Sequence, residues 1–157
     1  MTTCVSTKPA KTAAWMRNEH RIIAGLIANL SAHIAAVPSI GRDEWLSTLV
    51  QLVTRFRAHM RGHMKAEEAD DGFLTPVLQR RPTLSREVDH LLHEHRELLS
   101  LLDQVAEEVA GLCAEDVLLI EDACHRLQHL LSAIRHHEEH EELLVTFVFS
   151  QDIGTED

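Results

Sequence analysis

A six-residue phrase of the form H-x-x-x-E-E occurs twice in this chain. It reads His63-Met64-Lys65-Ala66-Glu67-Glu68 and again His137-Glu138-Glu139-His140-Glu141-Glu142. On a helix, positions i and i+4 share a face one turn apart, so each phrase aims an imidazole and a carboxylate in one direction. Such a pair is half of a site for a metal ion. A second repeat adds to it: Glu19-His20-Arg21 recurs as Glu94-His95-Arg96. His20 precedes His63 by 43 residues and His95 precedes His137 by 42. The chain therefore reads as two copies of one unit, each supplying a lone histidine and an HxxxE pair. The symmetry selects His137 over its neighbour His136, and so does the apolar stripe that His137 continues.

The elements that must carry these residues are helices. From about Thr12 an apolar stripe runs Met16, His20, Ile23, Ile27, Leu30, Ile34, in steps of three and four, until Pro38 and Gly41 end it. Asp43 is the expected N-cap of a second helix, with Leu46, Leu49, Leu52 or Val53, Phe56, His59, His63 and Glu67 on its face. Asp70-Asp71-Gly72 ends it, and a short extra turn is expected around Phe73 to Leu78. A third helix, capped by Thr83 or Ser85, presents Val88, Leu91 or Leu92, His95, Leu98 or Leu99, Leu102, Val105 and Val109 before Gly111 breaks it. A fourth, from about Glu115 to about Phe149, presents Val117, Ile120, Leu127, Leu130 or Leu131, Ile134, His137, Glu141 and Leu144. No segment of weight alternates with the period of a strand. The expectation is an all-α domain over 12–150, an up-down-up-down antiparallel four-helix bundle, with loose polar tails at 1–11 and 151–157.

Alternating direction puts the start of the first and third helices and the end of the second and fourth at one end of the bundle. Eighteen residues separate His20 from Pro38 and twenty separate Asp43 from His63, which at ~1.5 Å per residue leaves the two levels only about 3 Å apart. His20, His63, Glu67, His95, His137 and Glu141 should then meet in one layer. Burying four imidazoles and two carboxylates is costly unless something bonds them. The symmetric set suits two cations, each taking two histidines, with the two glutamates shared. Mixed N/O ligation with no inward-facing cysteine favours iron or manganese over a thiolate zinc site.

Composition bounds the rest. The chain has 157 residues, twelve histidines, no tyrosine and a net charge of −10 with His neutral. That balance speaks against nucleic acid or an anionic membrane as partner. Three cysteines without a CxxC, no targeting segment and no stretch of transmembrane length make a cytoplasmic protein the expectation.

EHR on the first and third helices with HxxxEE on the second and fourth resembles the hemerythrin-like (HHE cation-binding) domain family, over about Trp15 to Phe149. The resemblance implies two iron ions bridged by carboxylates and an oxo or hydroxo group. His20, His63, His95 and His137 would be terminal ligands, and Glu67 and Glu141 the bridges. Two features depart from the oxygen carriers of that family. They place a fifth histidine where this chain has Leu91, and they carry H-x4-D on the last helix where this chain has His137-x3-Glu141. Four histidines leave an open position on each iron, which points to binding or turnover of a small oxidant such as peroxide, oxygen or nitric oxide. Catalase-like or peroxidase-like chemistry is one form of this. Iron storage, sensing or donation, and reversible oxygen binding, are the alternatives.

Further histidines could alter the count. His140 and, deeper in the bundle, His59 face inward by spacing, His140 being the better fifth ligand. His125/His129 and His136/His140 read as pairs on solvated faces, and His33 as surface or core. Glu87-x-x-His90 lacks the partner motif of a ferritin-like site. In His136-His137-Glu138-Glu139-His140 a histidine takes the place of the general-base glutamate of a zinc protease. Glu68 and Glu142 are expected to support the site or face solvent. An orienting role for Glu19 or Glu94 is disfavoured, because adjacent helix positions diverge by about 100°.

Overall fold

The computed structural model describes residues 13–150, and every regular element among them is helical. Helix α1 spans Ala13–Ala35, α2 Arg42–Glu68, α3 Leu74–Arg80, α4 Ser85–Ala110 and α5 Val117–Ser150. A 3-10 turn at Pro82–Leu84 joins α3 to α4. The expected four helices become five among the described residues, because the turn expected near Phe73 to Leu78 closes into the short helix α3. The tails expected at 1–11 and 151–157, with Cys4, lie outside the described residues. No described helix is long and apolar enough to cross a membrane.

The long helices form where the stripes lie, and the stripes are what they bury. In α1 the buried set is Met16, His20, Ile23, Ile27, Leu30 and Ile34. In α2 the stripe passes through Met60, while His59, expected inside, is only half-buried. Both α1 and α4 pack against α2 and against α5. Two apolar clusters result. The larger runs from Ile34, Trp45, Val109 and Ile120 to Met64, Leu98 and Ile134. The smaller gathers Met16, Phe73, Leu74, Val77, Val88, Leu91, Leu144, Val145 and Val148. Along α1, α4 and α5 the site histidines fall between the residues given to one cluster and those given to the other. A polar layer is thus sealed above and below by hydrocarbon.

The ends of the helices differ from expectation in instructive ways. Helix α2 begins at Arg42 after Gly41, whose φ of 79° is a left-handed value that residues with a β-carbon rarely adopt. Asp43 therefore sits in the first turn, where its charge favours the helix dipole, and makes no cap. Neither Thr83 nor Ser85 caps α4; the 3-10 turn leads straight into it with no side-chain capping bond. Across the α1–α2 connection, Trp45 Nε1–H donates to the His33 carbonyl (3.1 Å) and His33 Nε2 bonds the Trp45 carbonyl (2.9 Å). Their rings stack with centroids 4.9 Å apart. His33 is a clamp far from the site.

Beyond α2 the chain turns so tightly that a β-carbon on Gly72 would lie 2.0 Å from the Glu67 carbonyl oxygen. Gly72 N–H donates to Ala69 (2.8 Å), fixing that approach. Gly72→Ala must move either the turn or the last turn of α2, and is expected to cost about 1–3 kcal/mol and to lower the thermal midpoint. Gly25 is exposed in mid-helix, and its added β-carbon meets nothing within 4 Å. Gly25→Ala should stabilise by up to about 1 kcal/mol, so opposite shifts in one thermal melt check both.

Candidate metal centre

The structure brings all six expected residues together. Their ligating atoms form two groups, His20, His63, Glu67 and Glu141, and Glu67, His95, His137 and Glu141, each with all atoms within 4.8 Å of one another. Both glutamates belong to both groups. His20 Nε2 stands 4.0 Å from an oxygen of each glutamate. His63 Nε2 is 2.7 Å from Glu67 Oε1, and His95 Nε2 is 3.2 Å from Glu67 Oε2 and 3.8 Å from Glu141 Oε1. His137 Nε2 lies close against Glu141 Oε1. Donor atoms around one cation at about 2.0–2.2 Å are themselves roughly 3–4.4 Å apart, a spacing that the His20 and His95 separations match, while His63 and His137 stand closer to their glutamates than that.

Hydrogen bonding supports the same fit. All four Nε2 atoms and all four oxygens of Glu67 and Glu141 are buried without a hydrogen-bond partner of adequate geometry. Glu67 and Glu141 are fully buried and the four histidines nearly so. Eight orphaned atoms converging in one layer would be very unfavourable if nothing bonded them, since each buried polar group without a partner costs about 1–3 kcal/mol. The donor set, two imidazoles and two shared carboxylates per position, is chemistry for a divalent or trivalent first-row cation.

What aims these imidazoles is a set of four glutamates, one for each ring. His63 Nδ1 bonds Glu19 (3.2 Å), His137 Nδ1 bonds Glu94 (2.8 Å), His95 Nδ1 bonds Glu68 (3.2 Å) and His20 Nδ1 bonds Glu142 (2.9 Å). A carboxylate on Nδ1 fixes ring orientation and leaves Nε2 as the free donor atom. The disfavoured role of Glu19 and Glu94 is therefore corrected. They do not reach the adjacent His20 and His95, as the 100° divergence requires, but the histidine of the next helix. The repeat is kept throughout: the EHR glutamates hold the HxxxEE histidines, and the second HxxxEE glutamates hold the EHR histidines.

The remaining histidines stay outside both groups. His140 turns to α4, 3.3 Å from Glu87, and lines a recess with Leu84, Leu143 and Phe147. His59 Nε2 is 3.2 Å from Glu19 Oε2, the oxygen that also takes His63 Nδ1. His136, His125, His129, His90 and His93 are exposed. Leu91 is buried in the smaller apolar cluster and offers no donor. Trp15 stacks on the His63 ring at 5.8 Å, beside a recess of about 310 Å³ that reaches His63 between Glu19, His59 and Gly62. A cavity of about 500 Å³ near Pro38, Arg42 and Cys124 lies at the opposite end of the helices.

One residue escaped the sequence reading. Glu138 is 6% exposed and its Oε1 has no hydrogen-bond partner. Burial pushes its carboxyl up to about 8, against the pull of His63. The signal was present: Leu131, Ile134, Glu138, Glu141, Val145 and Val148 step by three and four, and all are buried.

Charges in this layer are set by the carboxylates. Burial lowers the His95 pKa, but Glu141 and Glu67 outweigh it and push it up to about 10. His63 and His137 are raised in the same way, by Glu67 and Glu141 respectively. Burial and the Glu141 charge raise Glu67. Burial acts on Glu141 too, but the nearby His137 and His95 imidazoles hold it well below the usual range. A cation needs neutral imidazoles, so binding must expel these protons. Cation uptake at pH 7 is expected to release protons, and apparent affinity to rise with pH until about 10; calorimetry in buffers of different ionisation enthalpy checks this. The sign for the cation-free fold is opposite. A histidine raised from 6.5 to about 10 stabilises fully below about 6.5 and loses that contribution as pH climbs through 10. Glu94→Gln should weaken the cation at His137 by roughly 10–100-fold, read by competition with a chelator.

The sequence profile described as the hemerythrin HHE cation binding domain matches residues 12–147. No curated relative and no solved structure matches the chain. The match spans both EHR segments, both HxxxEE phrases and all six converging residues. The chain belongs to the hemerythrin HHE cation-binding family.

Proposed function

We propose that this is a non-haem di-iron protein, an up-down-up-down four-helix bundle over 12–150 that binds or reacts with peroxide, oxygen or nitric oxide. His20 and His63 would hold one iron, His95 and His137 the other, and Glu67 and Glu141 would bridge them. The observation that carries this reading is the convergence of eight buried, hydrogen-bond-orphaned donor atoms in two groups that share the same two carboxylates.

When bound, the iron pair supplies electrons and Lewis acidity to a small ligand. The protein's own part is positional. Glu19, Glu68, Glu94 and Glu142 hold each Nδ1 and keep each Nε2 turned inward. The apolar residues on both sides of the layer exclude bulk water, and Trp15 covers one face of His63. Leu91 occupies the place of a fifth histidine without donating, which favours reaction or sensing over guarded, reversible oxygen carriage. Cys113 and Cys124 are both free thiols, in keeping with a reducing, cytoplasmic setting.

Iron-loaded protein should contain two irons per chain, and its reduced form should be oxidised by peroxide with a matching change in the visible spectrum. Glu141→Gln and His137→Ala should each lose iron, while His129→Ala, on an exposed face, should retain it. Full iron retention in Glu141→Gln would sink the ligand assignment, and cleanly reversible oxygenation would sink the redox reading.

A further inference from the structure

The two halves of the site are not equivalent, and the break in symmetry lies at one position. Glu138 follows His137 where Met64 follows His63. Both side chains are buried, Met64 at 1% exposure and Glu138 at 6%. One half of the repeat therefore places a thioether where the other places a carboxylate.

The hydrogen bonds fix the side to which each points. On α5, His137 bonds Glu94 of α4, whereas Glu142 bonds His20 of α1. Glu138 lies one turn before Glu142 on the same face, hence on the α1 flank, beside the His20 and His63 half. On α2 the pattern is mirrored. His63 bonds Glu19 of α1, whereas Glu68 bonds His95 of α4. Met64, one turn before Glu68, lies on the α4 flank beside the His95 and His137 half. The carboxyl of Glu138 accordingly feels the charge of His63, Glu141, Glu67 and Glu142.

We propose that Glu138 is a seventh protein ligand, bound to the cation between His20 and His63. This rests on the di-iron reading above. The His20 and His63 position then has five protein groups, namely the two histidines, Glu67, Glu141 and Glu138. The other position keeps four, with the Met64 thioether at the equivalent place. Glu138 stands outside the two groups of atoms within 4.8 Å of one another, so its carboxylate closes on the cation by rotation about its own side-chain bonds. With Oε1 unpartnered, no hydrogen bond of that atom opposes the rotation. An added hard oxygen donor with its negative charge favours the higher oxidation state at that position. It also confines a small exogenous ligand to the cation beside Met64.

The test compares wild type with the near-isosteric Glu138→Gln, titrated anaerobically with ferrous iron-57 against a competing chelator and followed by Mössbauer spectroscopy. Wild type should take two irons in two distinct quadrupole doublets of equal area. In Glu138→Gln one of the two irons should bind about tenfold more weakly or worse, with one doublet shifted and the other unmoved. A merely structural role would move neither doublet or both. In Glu138→Ala, added formate should restore the weakened site by refilling the vacated position. Two irons bound with wild-type affinity and both doublets unchanged in Glu138→Gln would overturn this ligand while leaving the di-iron reading intact. Failure of wild type to take up iron at all would overturn both.

Discussion

Four hydrogen bonds, each from an imidazole Nδ1 to a glutamate on a neighbouring helix, set the geometry of this end of the molecule. They link α1 to α2, α2 to α4, α4 to α5 and α5 to α1, closing a ring around the polar layer. Each bond does two things. It ties a pair of helices at one level, and it decides which nitrogen of the ring remains a donor toward the centre. The glutamates are themselves only partly buried, with Glu19 and Glu94 at 19% and 22% exposure. Their charge is thereby partly solvated while the nitrogens they aim are not.

The layer is tolerable because the rest of the fold is arranged to make its burial useful. Hydrocarbon lies on both sides, a long cluster toward the Pro38 end and a shorter one built from Met16, Phe73, Val77, Leu91 and Val148. Helix α3 exists for the second of these: Leu74 and Val77 are its buried residues, and both belong to that cluster. Gly72 lets the chain fold back tightly enough to put them there. A β-carbon there would collide with the Glu67 backbone carbonyl, so the turn that closes the apolar cap lies directly against the residue whose carboxylate belongs to both groups.

Within this symmetric frame the departures carry the individuality of the chain. Leu91 and Met16 occupy corresponding places and give hydrocarbon to both halves. Glu138 and Met64 also correspond, but give a carboxylate to one half and a thioether to the other. A pair of cations in a perfectly repeated site would share their electrons evenly. With cations in both halves, as proposed, the extra carboxylate of Glu138 would bias charge toward its own side and leave the other side more open to a small ligand.

The local pattern determined a great deal. Helical periodicity by itself marked the faces of α1, α2, α4 and α5, because a residue's face depends only on its position within its own helix. Short connections and alternating direction then placed His20, His63, Glu67, His95, His137 and Glu141 at one level, and the structure puts them there. What periodicity cannot express is which neighbouring helix receives a side chain lying between two faces. Glu19 and Glu94 diverge from the histidines beside them in sequence, yet each meets the histidine of the next helix. His140 lies near the inward face by spacing but is drawn to Glu87 on α4. Glu138 sat on a legible stripe, though its direction toward α1 follows only from the bond that Glu142 makes to His20. The sequence determined the helices and the level of the site; the packing of α1, α2, α4 and α5 against one another decided which imidazole each glutamate holds, because that depends on the position of neighbours supplied by distant parts of the chain.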